Sequence, residues 1–183
     1  MRKLILLMFP IFLSINVVAF DYESYNKGVK AFEIADYEEA MRFWKAALPK
    51  ENIFDDYSFC KASLDCNVDD LEPDANAELN FWIGYLYSKG WGTVKNYDKA
   101  IRHLRKAADV NHPQAQYFIA ELGLEMIDEG IIDFDSKKER RKGYGQIAKF
   151  LSRAIENKKT PSDIRKEAEK LWNEEELWRY TSR

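Results

Sequence analysis

The chain has 183 residues, 46% hydrophobic and 14% aromatic, with 28 basic against 31 acidic residues and a net charge of −3. That apolar content is ample for a packed core, which excludes a disordered chain. The mildly acidic balance is unsuited to nucleic acid, whose binding rests on neutralising phosphates.

The N-terminus carries a basic pair, Arg2 and Lys3, then an apolar stretch from Leu4 to Val18 and a small residue, Ala19. This is the pattern of an export signal, too short and too early for a membrane span. Cleavage after Ala19 makes Phe20 the first mature residue; retention of the stretch as an anchor is the alternative. No cysteine follows the apolar run, which argues against a lipoprotein. Loss of Arg2 and Lys3 leaves 26 basic against 31 acidic residues and a mature charge of −5. The expected location is the periplasm or the exterior, without stable membrane insertion once the signal is removed. Residues 20–183 are then one domain.

Two helices are expected first, Tyr22–Ile34 and Asp36–Leu48, joined by a short turn at Ala35 and Asp36. An inserted segment, residues 49–73, follows. It carries Cys60 and Cys66 together with Asp55, Asp56, Asp65, Asp69 and Asp70. In an oxidising compartment two cysteines this close read as a local disulfide, with two free thiols as the alternative. No histidine or third cysteine stands nearby to complete a metal site, and the central glycine of an EF-hand is absent.

The next pair is expected at Asp74–Lys89 and Asn96–Val110. Gly90 and Gly92 free the intervening turn from the Cβ penalty, and Asn96 is a good N-cap. A third pair is expected at Pro113–Asp128 and Gly145–Asn157, with residues 130–142 read as an insertion bearing the basic run Lys137–Lys142. Gly143 and Gly145 then lie just before the second helix. A final helix, Pro161–Tyr180, starts with Thr160 as N-cap. Ile164, Ala168, Leu171 and Trp172 give it one apolar face, suited to covering the open end of a stack.

The elements repeat. Ile83-Gly84, Tyr87, Gly90, Gly92, Lys99-Ala100, Lys106-Ala107-Ala108, His112 and Ala115 form one unit, and a second opens at Gln116, Tyr117 and Phe118. Tyr37, Ala40, Trp44 and Ala47 repeat the spacing of Tyr97, Ala100, Leu104 and Ala107, and Tyr144, Ile147, Leu151 and Ala154 repeat it again. Small residues at Gly84, Ala100 and Ala107 suit close helix contacts. Such periodicity denotes stacked supersecondary units.

These residues resemble the Sel-one-like repeat family, a relative of the tetratricopeptide repeats. The resemblance is specific across Leu79–Ala120, although Asn96, His103, Asn111 and Ala120 depart from the family pattern. It implies an all-α fold, an α/α solenoid of about three helix pairs with a C-terminal capping helix. It also implies a protein that binds other proteins rather than an enzyme. The family's first helices line a concave face, where Trp82 and, one unit on, Phe118 stand at a position the pattern fills with a polar residue. Tyr85 lies one turn from Trp82, and Trp91 tips the adjacent loop. Trp82, Tyr85, Trp91 and Phe118 are therefore the expected partner-binding residues, since aromatic anchors dominate interfaces. Cover by the insert or by the last helix is the competing account of that face.

No nucleophile elbow, phosphate-binding loop or paired zinc-ligand motif occurs, so no catalytic residue, cofactor or metal is expected. Of the two histidines, His112 falls at the turn between units and His103 on a helix face; both read as structural. The partner is expected to be another protein, an envelope component or, on a narrower reading, a toxin delivered to the periplasm that this chain would neutralise as an immunity protein.

Overall fold

The computed structural model describes residues 20–48 and 75–181. The expected export signal, the insert with Cys60 and Cys66, and the expected start of the third helix at Asp74 lie outside the described residues. Within them are seven α-helices and one 3-10 turn: α1 Tyr22–Glu33, α2 Tyr37–Ala47, α3 Ala75–Lys89, α4 Tyr97–Asp109, α5 Pro113–Asp128, α6 Lys137–Glu156, α7 Ser162–Glu174 and the turn Leu177–Tyr180. The described residues are all-helical. The helices pack as pairs α1–α2, α3–α4 and α5–α6, stacked in order, with α7 and the turn against α6.

Local chemistry starts most helices. Asp21, Asp36 and Asn96 cap α1, α2 and α4 by accepting from backbone N–H groups, as in Lys99 N to Asn96 Oδ1 at 2.9 Å. Helix ends share one device. At Ala35, Gly90, Asn111 and Gly130 the backbone turns left-handed, with φ between 59° and 70°. The next N–H reaches back five residues: Asp36 to Ala31, Trp91 to Leu86, His112 to Ala107 and Ile131 to Met126. These Schellman closures satisfy carbonyls that the helix leaves open.

Packing explains the small residues. A Cβ on Gly84 would sit 2.8 Å from the Leu104 Cγ and 3.1 Å from the Ala100 oxygen, so α3 and α4 touch backbone to backbone. Ala100, Leu104 and Ala107 are buried on the α4 side of this contact. Helix α3 lies between the first and third pairs, and nine of its residues are buried. In the first pair Trp44 is 1% exposed and its indole N–H donates to the Tyr25 carbonyl at 3.3 Å.

Three boundaries differ from expectation. Helix α6 begins at Lys137, eight residues before Gly145, so the basic run and both glycines are helical. Ser136 caps it by accepting from Glu139 N at 3.2 Å, the start of a capping box. Gly143 supplies the space into which the Phe134 ring packs. The terminal helix is not continuous to Tyr180: it ends at Glu174, Glu176 is left-handed at φ 49°, and a 3-10 turn follows. Buried Leu177 anchors that turn. Thr160 does not cap α7; its hydroxyl donates to the Ala154 carbonyl at 2.6 Å and so finishes α6.

Two substitutions test the close contacts. Ala100→Leu overpacks the α3–α4 contact and should lower stability by about 1–3 kcal/mol in urea unfolding. Gly92→Ala should also destabilise: φ is 65° there, and an added Cβ would strike the Tyr37 carbonyl. Wild-type midpoints for both variants would disprove this packing.

Candidate functional site

The first helices of the three pairs place their aromatic residues in one row. Phe32 of α1 lies 5.0 Å from Trp82 of α3, and Trp82 lies 6.1 Å from Tyr85 on the same helix. Tyr85 meets Phe118 of α5 at 5.3 Å and the loop residue Trp91 at 5.7 Å, both edge to face. Trp91 also stacks on Tyr37 of α2 at 4.8 Å. The four expected residues therefore converge, with Tyr85 touching the other three. Trp82, Tyr85 and Phe118 are half-buried, while Trp91 is 39% exposed. Phe32 and Tyr37 of the first pair and Tyr117 of the third also join the row; they share no repeat position that would have grouped them. The last helix packs against α5 and α6.

Carboxylates frame the rings. The Trp82 indole N–H donates to Glu78 Oε1 at 2.6 Å, and the Tyr117 hydroxyl donates to Glu121 Oε1 at 2.9 Å. Burial, then the Glu121 charge, pushes the Tyr117 phenol well above its ordinary range. Burial raises Tyr85 as well, again assisted by Glu121. Both rings stay neutral hydroxyl donors at physiological pH. The hydrogen bond from His112 holds the Glu78 carboxyl below its ordinary value.

That bond belongs to a buried polar joint between the second and third pairs. His112 Nδ1 accepts from Ala115 N at 3.2 Å, capping α5. Nε2 is then the protonated nitrogen, donating to Glu78 Oε2 at 2.8 Å. The imidazole stacks on Phe81 at 4.9 Å. Beside it, Asn111 Oδ1 accepts from Gln116 Nε2 at 2.9 Å and from Asn157 Nδ2 at 3.0 Å. The Arg153 guanidinium donates to the Ala108 carbonyl at 2.9 Å. Groups from α3, α4, α5, α6 and their connections thus fix where α5, and with it Phe118, sits relative to Trp82.

His103 stands on the other side of α4. It stacks on Tyr87 at 5.9 Å, and its Nδ1–H donates to Asn80 Oδ1 at 2.9 Å. Burial, then Lys106 and other neighbouring cations, pushes its pKa down to about 4. The ring is neutral at pH 7 and has no acid or nucleophile beside it. Among the described residues no group of three or more His, Cys, Asp or Glu is placed to hold a metal, and no helix is long and apolar enough to cross a membrane.

The His103 shift has a definite sign. The folded state resists protonation that the unfolded chain, near pKa 6.5, accepts, so its stabilisation is complete above about pH 6.5 and is lost as the pH falls towards 4. His103→Gln, which retains a donor for Asn80, should lose less melting temperature than wild type between pH 7 and pH 5. Equal losses would show that His103 is protonated in the fold.

A family model for the Sel1 repeat matches residues 77–112, which covers α3, its turn, α4 and the joint up to His112. No curated protein and no solved structure matches the chain. Sel1 repeats mediate protein–protein interaction, and proteins of this family are typically non-catalytic scaffolds. The chain thus carries a Sel1 repeat at residues 77–112, with a helix pair packed on either side of the matched unit.

Proposed function

We propose that the mature chain is an exported scaffold that seats a partner protein on the row formed by Trp82, Tyr85, Trp91 and Phe118. The convergence of three rings on Tyr85 carries this reading. Rigid aromatic side chains lose little entropy when covered, and they present large apolar area with a polar tip. Glu78 and Glu121 at the margin favour a partner segment that pairs aliphatic side chains with lysine or arginine. A toxin acting in the same compartment is one partner that would fit this description.

The test is a comparison of capture. Immobilised wild type and a Trp82→Ala/Phe118→Ala variant are exposed to envelope extract, and the retained proteins are quantified. The double variant should retain helical circular dichroism and lose about 2 kcal/mol or more of binding free energy, roughly a thirtyfold weakening. Undiminished capture by the folded variant would remove the aromatic row from the interface.

Export is tested separately. N-terminal sequencing of protein recovered from the periplasm or medium should begin at Phe20. Material found only in the membrane with Met1 retained would favour an anchor.

A further inference from the structure

Away from the aromatic row, the C-terminal 3-10 turn folds back on α6 and leaves a groove of about 550 Å³. One wall is a stripe of α6 bearing Lys138, Arg141, Lys142 and Lys149; the other is formed by Tyr180 and Thr181. The spacing of three, four and seven residues puts all four cations on a single helix face. Tyr180 is held in place by stacking on Tyr144 at 4.8 Å. Thr181 donates its hydroxyl to the Trp178 carbonyl at 2.9 Å.

Structure alone gives this arrangement no reward. None of the four cations forms an ion pair among the described residues. Lys138, Arg141 and Lys142 repel one another at one-turn spacing. Lys138 also lies in the first turn of α6, where the helix dipole disfavours positive charge. Helices α1, α2, α4 and α7 carry Glu23, Glu38 and Glu39, Asp98 or Asp163 in the first turn. Helix α6 also has an acid there, Glu139, but two lysines, Lys137 and Lys138, precede it. In a chain whose net charge is −3, a concave cluster of unneutralised cations calls for an anion from outside.

We infer that the groove between α6 and the C-terminal turn is a second binding site, for a ligand carrying two or more phosphate or sulfate groups. Lysine ammonium groups take single oxygens as point charges, and Arg141 engages two oxygens of one group. A free polyphosphorylated molecule and a lipid headgroup share this chemistry.

Inorganic pyrophosphate is the probe, titrated calorimetrically into the mature chain at low and moderate salt. Saturable binding is expected, weakening as salt rises. Arg141→Gln/Lys142→Gln should weaken it at least tenfold, while Lys27→Gln/Lys30→Gln on α1, with the same loss of charge, should leave it unchanged. All four positions are exposed, so circular dichroism should match wild type throughout. Absence of binding by wild type, or equal weakening in both variants, would overturn the inference. Co-sedimentation with vesicles of cardiolipin, whose headgroup carries two phosphates, and phosphatidylcholine separates the sources. Vesicle binding lost in the groove variant assigns a headgroup; pyrophosphate binding without vesicle binding assigns a free ligand. Partner capture by the aromatic row is not an input to either arm.

Discussion

The structure turns on the hydrogen bond between His112 and Glu78. His112 closes α4 with its backbone N–H, and its imidazole caps α5 and reaches α3, while Glu78 passes the constraint to the Trp82 indole. Groups buried this deeply cost about 1–3 kcal/mol each when left unpaired, so the helices can shift only by breaking several bonds together. Asn111, Gln116 and Asn157 strengthen the same point from the α6 side. The relative placement of Trp82 and Phe118 is thus set by a polar joint rather than by the rings alone. An aromatic interface built on a stack of helices needs such a fixed joint, because apolar contacts by themselves tolerate sliding.

The stack is energetically local. Each pair meets its neighbours and little else, so stability divides into contributions from pairs and from the surfaces between them. Helix α3 has neighbours on both sides, which is why its apolar residues run around the helix instead of along one stripe. The recurring left-handed closure lets each pair finish its own backbone bonding, leaving only side chains and the joint to hold pairs together.

Much of this was legible from residue spacing. Gly84, Ala100 and Ala107 marked the close contact and Asn96 the cap, because each answers a local backbone demand. The four aromatic positions were also legible, since a large ring at a normally polar position stands out against the repeat. What escaped was set by neighbours distant in sequence. Gly143 and Gly145 read as a helix boundary, yet α6 runs through them because Phe134 packs where a Cβ would stand. The Ser136-x-x-Glu139 signature was a usable clue to the true start. The break at Glu176 depends on burying Leu177, and the links of Phe32 to Trp82 and of Glu78 to His112 cross between units, where no period announces them.

Helix α2 ends unlike α1, α3, α4 and α5. Leu48 leaves it extended, at φ −63° and ψ 132°. Residues 49–74 separate the first pair from the second in sequence, and side chains such as Phe32, Tyr37 and Trp44 seat it there. Those same contacts are available on any other copy of α3. Concentrated protein thus has a route to domain swapping in which two molecules trade their first helix pairs and keep these ring contacts.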